Sequence, residues 1–537
     1  MKNNRRIKYL KNILIPCLFL SGVAGIFTGA LIFCFKAAAG FVIDLSGEIY
    51  AMARTMPMYI LPLILGAAAA GALACLMLHI SPGSKGGGIP SAIIVLRGLV
   101  PFSWIKNIVF LFSSAMLTFF AGVPLGNEGP SVKMGCAVGK GTVNLLARKN
   151  KAWERYIMTG GACGGFAAAT GAPLSGMLFA FEEVHRRFSP IIFMAVSMAT
   201  IASSATMEAL CHTFGMHSSL FELTDHPVLP IKFIWIALIV GLLCGGISIL
   251  FTKGYNVADR LVNHALAKVP FLVKMIAVFV ITAVLGVISA GFIGSGHSLV
   301  DEIFYGDAGA WYLLLIYLLI RAIMLLLANN VGVTGGTFIP VLTFGAIIGS
   351  LCATAFTSVG ILSEEYSPLI VCIGMASFLA ASSRVPLTAI AFSLEALACM
   401  TNILPLTLAV GVAFFIIEMR GMISFNDTVI EHKLHNARKG KTSRTLDIHM
   451  TVKEDAFVVG KEVYDILWPP SCIVLSIKKA EANSVGMGVG DVLHLKFTTF
   501  DADETKDLLE ALIGDQGADK NAPDDLVDDD SYEVPET

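Results

Sequence analysis

The sequence predicts an all-α polytopic membrane protein followed by a small α+β domain, on three observations. Of its 537 residues, 55% are hydrophobic and only 15% are charged, where a soluble protein carries about a quarter charged residues. Apolar runs of about 20 residues, long enough to cross a bilayer, recur along the chain, as from Ile13 to Phe35 and from Trp311 to Leu327. After about residue 435 this texture gives way to short β-rich runs separated by turn signals. The formal net charge of −2 decides little, because the charges are unevenly placed.

The first element is an apolar helix preceded by Lys2, Arg5, Arg6, Lys8 and Lys11. A signal peptide begins similarly, but this run is longer and lacks a small-x-small cleavage site, so it reads as a retained span. Its basic flank is expected in the cytoplasm. Arg438, Lys439, Lys441 and Arg444 follow the last apolar segment, which places that end in the cytoplasm too.

Between these ends, residues 1–435 form the membrane part. Its spans are interrupted by Gly and Pro at 83–90, 122–130, 160–173 and 332–340. Broken helices at membrane depth are tolerated where they are buried in protein or line a cavity, and transporters build binding sites there. The text also repeats. "AATGAPLSGMLFAFE" (Ala168 to Glu182) matches "ASSRVPLTAIAFSLE" (Ala381 to Glu395), and "GNEGPSV" matches "GTFIPVL" at about the same offset. Two motifs at one spacing predict two homologous halves, about 1–215 and 225–425. Duplicated halves, often inverted, are usual in secondary transporters, with the substrate site at their interface.

The C-terminal part reads as a soluble α+β domain over 446–513. Its expected strands are Ile473–Ile477 and Val492–Phe497, its loop is Gly486–Asp491, and its closing amphipathic helix is Asp503–Ile513. Residues 514–537 are acidic and Pro-containing, which predicts a disordered tail.

Eleven cysteines are scattered, mostly singly, inside apolar segments. They read as small buried hydrophobes, with no CxxC pair and no Cys/His ligand spacing, hence no disulfide framework and no zinc site. No GxxxxGK[ST] loop is present, and no nucleophile–base pair stands at a recognisable spacing. The chain is therefore expected to be neither an enzyme nor dependent on a cofactor, and to have no nucleic-acid partner.

The chemistry concentrates in three short motifs: Gly86, Gly87, Gly88, Ile89 and Pro90; Gly126, Asn127, Glu128, Gly129 and Pro130; and Gly336, Thr337, Phe338, Ile339 and Pro340. In each, glycines permit close backbone approach and a proline suits the start of a helix. The free N–H groups and positive dipole end of such a helix attract an anion. Three of them could converge on one dehydrated anion. Glu128 lies inside the second motif, and a carboxylate at membrane depth costs at least about 2.5 kcal/mol on the gentlest scale. Glu182 and Glu183 end another apolar helix beside His185, Arg186 and Arg187, a cluster expected at the cytoplasmic face.

With GGGIP, GNEGP and GTFIP in this order, and with both Pro-Leu segments, the membrane part resembles the CLC family of anion channels and proton-coupled anion antiporters, whose motifs are GSGIP, GREGP and GxFxP. The resemblance spans nearly all of residues 1–435. It implies a CLC-type fold of two inverted halves with broken helices, a homodimer, and one anion pathway per subunit. It implies that Glu128 is the gating glutamate. Ionised, its carboxylate occupies the anion site; protonated, it leaves and carries a proton. Glu183 matches the acid that collects protons from inside in the antiporter branch, and Phe338 should present its N–H to the anion.

Three positions depart from the family pattern. Gly87 replaces the serine whose hydroxyl contacts the anion, Asn127 replaces an arginine, and Asn426 takes the place of an anion-contacting tyrosine. Substitutions at the serine and tyrosine occur in the fluoride-exporting subset. Chloride is therefore the default anion, with fluoride/proton exchange and passive conduction as the open alternatives.

Residues 446–513 resemble the regulatory module of potassium-transport proteins (the TrkA-C or RCK-C type), through "VVGKEVYDILWPPSCIVLSIKK" and "GVGDVLHL". That resemblance implies dimerisation, a small cytoplasmic ligand and a bacterial plasma membrane. It also raises a potassium-transport role, against which no TVGYG-like filter is present.

Overall fold

The computed structural model describes residues 14–86, 88–100, 103–147, 151–221, 226–307, 309–438, 443–454, 456–480, 486–500 and 502–514. The basic N-terminal residues, Gly87, Lys439, Lys441 and the acidic tail from 515 onward lie outside the described residues.

The helices in chain order are α1 Ile15–Thr55, α2 Ile60–Ile80, α3 Ile89–Leu96, α4 Trp104–Phe120, α5 Glu128–Leu146, α6 Glu154–Thr170, α7 Pro173–Phe179, α8 Pro190–Phe214 and α9 Ile234–Asp259. They continue as α10 Phe271–Ile288, α11 His297–Tyr305, α12 Trp311–Val331, α13 Phe338–Ser358, α14 Ser367–Ser383, α15 Pro386–Ala396, α16 Ile403–Met419 and α17 Phe425–Arg438. A three-stranded sheet and α18, Ala502–Ile513, close the chain. Nine of the described helical stretches are long and apolar enough to cross a membrane. The exposed apolar side chains of α1, α2, α9, α10 and α12 are the surface a bilayer would cover.

Two sequence expectations change. The first span was expected over about 20 residues, but α1 runs for 41. That is roughly 60 Å of helix, about twice the hydrocarbon thickness, and it carries Asp44, Glu48 and Arg54 in its last turns. Helix persists there because no Gly-Pro break intervenes before Met56 and Pro57. The second change concerns residues 160–173, where the interruption falls at Gly171 and Ala172, between α6 and α7, and not at the earlier glycines. The glycines at 160, 161, 164 and 165 lie inside one unbroken helix, α6, which ends only at Gly171 in the left-handed conformation. They serve packing instead. A Cβ on Gly135 or Gly139 of α5 would run into the backbone of Gly161 or Ile157, and one on Gly165 into that of Ser131. Small residues let two membrane helices touch backbone to backbone. The same device joins α13 to α14 through Gly345, Gly349 and Gly374.

α7 and α15 are tied by a reciprocal pair of acids. α7 continues through a π-turn, Ala180–Val184, which carries Glu182. Its carboxylate accepts from the amides of Leu387 (2.9 Å) and Thr388 (2.7 Å) and from the Thr388 hydroxyl (2.7 Å), at the start of α15. Glu395, near the end of α15, accepts from the amides of Leu174 (2.6 Å) and Ser175 (2.9 Å) and from the Ser175 hydroxyl (2.8 Å), at the start of α7. Each acid satisfies orphan donors of the other helix and meets its positive dipole end.

In the C-terminal domain, β1 Arg444–Thr451, β2 Cys472–Lys478 and β3 Val492–Thr499 form an antiparallel sheet in the order β1-β3-β2. β1 was not anticipated; Arg444, read as part of a basic flank, is its first residue. Leu493, Leu495 and Phe497 alternate into a core shared with Leu509, Leu512 and Ile513 of α18. The loop before β3 is closed by Asp491, whose carboxylate accepts from the Gly488 (2.8 Å) and Ala480 (2.9 Å) amides and pairs with Lys479 at 3.0 Å. Burial opposes its charge, but those amides and the ammonium outweigh it and hold the pKa below the ordinary carboxylate range.

The domain docks on the N-terminal end of α6. Arg155 donates to the carbonyls of Leu467 (3.1 Å) and Trp468 (2.6 Å). The Tyr156 hydroxyl donates to the Asp465 carbonyl at 3.0 Å and accepts from the Leu467 amide at 2.9 Å. Arg187 donates to the Ile466 carbonyl at 2.7 Å, and Phe457 packs edge-on against Trp153 with centroids 5.0 Å apart.

If the reciprocal acids hold α7 and α15 in place, Glu395→Ala will lower the thermal midpoint of the purified protein. The expected loss is about 1–2 kcal/mol, the scale of a deleted N-terminal cap, and Glu182→Ala should lose a similar amount from the partner helix.

Candidate functional site

The three glycine motifs meet at one point. Gly126 and Gly336 exchange two backbone hydrogen bonds, amide to carbonyl, at 2.8 and 2.7 Å, and the Gly86 amide donates to the Gly332 carbonyl at 3.0 Å. A Cβ on Gly129 would lie 2.7 Å from the Cα atoms of both Gly336 and Gly88, so the loops are stacked closer than any side chain permits. Gly86 takes a φ of +71°, in the left-handed region that favours glycine. From this junction α3, α5 and α13 depart. Their first residues, Ile89, Glu128 and Phe338, follow Gly88, Asn127 and Thr337, and none of the three has a side-chain cap. The first-turn N–H groups of three helices are thus left without intrahelical partners in one buried place. Pro90, Pro130 and Pro340 sit within those first turns, where a missing N–H removes no helical bond. The Phe338 ring is wedged edge-on between Phe166 and Phe392, with centroids 5.1 and 5.2 Å away.

Glu128 is completely buried at this junction. Its carboxylate lies against Gly126, where a Cβ would strike Oε2. Neither oxygen has a hydrogen bond of full geometry, although the backbone amides of Glu128 itself and of Ile339 face the carboxylate. A buried polar group without a partner costs about 1–3 kcal/mol, more when charged. Stability alone does not account for an acid here.

Gly126, Asn127 and Ile339 also line a cavity of about 980 Å³, together with Lys36, His297 and His226. Arg321, 1% exposed, braces the cavity wall by donating to the carbonyls of Gly291, Ile293 and Gly294 at 2.7–2.9 Å. His297 follows that braced loop. Its Nδ1 is 2.9 Å from Asp301 and its Nε2 is 2.6 Å from the Leu220 carbonyl, so both nitrogens face acceptors and the doubly protonated ring fits. Burial works to lower its pKa, but Asp301 and the Leu220 carbonyl outweigh it and raise it above the ordinary value.

Glu183 and Asn426 form a second group, at the end that carries the C-terminal domain. Glu183 is 5% exposed. The Asn426 amide nitrogen donates to its Oε1 at 2.5 Å and to Ser383 Oγ at 3.4 Å. The amide hydrogens of Asn426 are thereby committed to these partners, and its Oδ1 is the unpaired atom. Arg97 grips the backbone here, donating to the carbonyls of Glu183 (3.0 Å) and Val184 (2.9 Å). The neighbouring cations do not pair with Glu183: Arg186 pairs with Asp427 and Arg187 holds the C-terminal domain.

Except for Gly87, which lies outside the described residues, the structure brings the residues of the three motifs together, and it pairs Glu183 with Asn426. Sequence reasoning missed the lysines around the first motif. Lys433 Nζ donates to Ser91 Oγ at 2.7 Å and packs on Gly86. Lys133, 2% exposed, donates to the Gly83 carbonyl. Lys85 lies over the Phe271 ring, 4.5 Å from its centroid. Among the described residues no carboxylate pairs with any of the three. Lys133 was findable, because it stands three residues after GNEGP inside a buried helix; Lys433 and His297 reach the site from distant segments.

Fold and site define a polytopic membrane protein in which three uncapped helix starts meet at one buried junction. The chain belongs to the voltage gated chloride channel family, whose model it matches over residues 69–418. It is 26% identical over 441 residues to the H(+)/Cl(-) exchange transporter ClcA of Salmonella paratyphi A, covering 80% of this chain and 91% of that one. It is 28% identical over 406 residues to the ClcA of Vibrio vulnificus (strain YJ016), covering 73% and 84%. In fold it is similar to a slow cyanobacterial Cl-/H+ antiporter (TM-score 0.71, 23% identity, 78% of this chain and 98% of that one). It is also similar to a CLC-type fluoride/proton antiporter (TM-score 0.63, 20% identity, 77% and 98%).

Because His297 has a raised pKa in the folded protein, its interactions stabilise the fold fully in acid and lose that effect as pH rises through the folded pKa. Thermal midpoints measured from about pH 5 to 9 should show wild type exceeding His297→Gln in acid, with the two curves converging toward the alkaline end.

Proposed function

We propose that this protein is a proton-coupled anion antiporter, with chloride the default anion. The observation that carries the reading is the convergence of three uncapped helix N-termini on a buried carboxylate that faces backbone amides and pairs with no side chain among the described residues. An anion entering the junction meets backbone N–H groups already oriented toward it, so little reorganisation is needed. The Glu128 carboxylate is chemically the same kind of guest. While it is ionised, it and the anion compete for one set of donors. Once protonated, it no longer competes, and its departure carries the proton toward the cavity where Lys36 and His297 stand. Competition for one site links anion occupancy to proton movement.

Glu183, held by Asn426 beside the docked C-terminal domain, is suited to exchange protons with the other side. Lys133 and Lys433 supply positive charge beside the first motif, where Gly87 offers no hydroxyl. The names of the ClcA relatives support the antiport reading. Fluoride is the second reading: Gly87 and Asn426 depart at the two positions that vary in the fluoride-exporting subset, and the fluoride/proton antiporter shares the fold.

The same reading extends to the assembly. The protein is a homodimer in a bacterial plasma membrane, its two membrane halves are about 1–215 and 225–425, and both termini are cytoplasmic. Residues 446–513 are a TrkA-C-like module that binds a small cytoplasmic ligand.

The test is flux in liposomes. With a chloride gradient imposed, wild type should drive protons uphill, and repetition with fluoride identifies the anion. Glu128→Gln should abolish proton movement while anion flux survives; unchanged proton transport would refute the role of Glu128. Glu183→Gln should likewise uncouple protons from anions. Lys433→Met should weaken anion binding from the domain-bearing side, read as a several-fold rise in the apparent KM for the anion with the proton-to-anion ratio unchanged.

A further inference from the structure

Outside the anion site, one cluster brings together metal-ligating side chains from three separate parts of the chain. His226 lies in the connection between α8 and α9, Cys372 in the second turn of α14, and Cys399 in the connection between α15 and α16. All three are buried, and their ligand atoms lie within 4.8 Å of one another. His226 Nε2 is 3.3 Å from Cys372 Sγ and 3.0 Å from the Leu397 carbonyl oxygen. That oxygen is 3.3 Å from Cys399 Sγ and 3.8 Å from Cys372 Sγ. One nitrogen, two sulfurs and one carbonyl oxygen therefore surround a single small volume. With Zn–S and Zn–N bonds of about 2.3 and 2.05 Å, a tetrahedral ion separates N from S by roughly 3.5 Å, close to the spacing found.

The scaffold holds this arrangement. The Leu229 amide donates to Asn402 Oδ1 at 2.9 Å, and Asn402 Nδ2 donates to the Pro227 carbonyl at 3.1 Å, which ties the two connections together. Ala398, immediately before Cys399, takes a φ of +51°. A non-glycine residue seldom adopts that conformation, and here it turns the chain between Leu397 and Cys399, both of which face the cluster. His226 also lines the cavity that leads to Gly126 and Asn127, which gives an ion a path in.

We propose that His226, Cys372 and Cys399 bind a zinc ion, with the Leu397 carbonyl as fourth donor, in the wall of that cavity. Charge selects the metal. A divalent ion with two thiolates and a neutral imidazole has no net charge, whereas a monovalent copper ion would leave a buried negative charge, which is costly. On binding, the two S–H bonds break, two Zn–S bonds and one Zn–N bond form, and two protons leave through the cavity. The imidazole then carries its proton on Nδ1. Sequence spacing did not reveal the site because its ligands stand far apart along the chain.

The test uses the full chain, purified in detergent from cells supplied with zinc, and it does not depend on the transport reading. Elemental analysis should find about one zinc per chain. His226→Gln and Cys399→Ser should each reduce this to background, while Cys352→Ser, which alters a buried thiol elsewhere, should leave it unchanged. Zinc-stripped wild type given cobalt(II) should show thiolate-to-cobalt charge transfer and intense tetrahedral d–d bands, a readout that stands even if a variant fails to fold. Wild type with neither zinc nor a cobalt spectrum would overturn the proposal. So would zinc retained equally by the variants, or a Cys372–Cys399 disulfide found by mass spectrometry in protein purified without reductant.

Discussion

The two hydrogen bonds exchanged between Gly126 and Gly336 are the constraint on which the site depends. They join two loops at the middle of the protein with no side chain between them, and Gly129 extends the contact to Gly88. A methyl group at that junction would press on backbone, which cannot move aside as a side chain can. Because the loops are locked, the helices that leave them have fixed origins, and their uncapped amides point where the loops aim them. Burial of those amides is tolerable because a guest, whether side chain or ion, can satisfy them.

The glycine seams extend this logic outward. α5 lies on α6 and α13 on α14 at backbone contact, so the two helices that begin at the junction with Glu128 and Phe338 are each held along their length by a partner. Glu182 and Glu395 do the same for the shorter helices by binding each other's ends. A string of glycines therefore has two different meanings in this chain: at 126 and 336 it precedes the start of a helix, and at 160–165 it lets an unbroken helix approach a neighbour.

That distinction marks what the sequence could reveal. Three motifs of one design, with an acid inside one of them, located the junction, because the physics of a helix start is local. The length of α1 was misjudged because hydropathy falls along the helix while nothing stops it before Pro57. Within 160–173 the break falls at Gly171 and not at the glycines of 160–165, because composition does not say whether glycine yields to a turn or to a neighbour. β1 escaped notice because its charged and polar residues, Arg444, Asp447 and His449, lie on a solvent-facing strand. Lys433, His297 and the His226–Cys372–Cys399 group were invisible for a simpler reason: they are neighbours only in three dimensions.

The C-terminal domain is attached by a latch of one particular kind. Arg155 and Arg187 grip main-chain carbonyls at Ile466, Leu467 and Trp468, not carboxylates. Such a clasp contains no acid to be protonated, so acidification of the surrounding fluid would not release it. Loss of either guanidinium would remove its carbonyl contacts and weaken the joint, while the Tyr156 hydroxyl and the Phe457–Trp153 packing would still hold the two parts together.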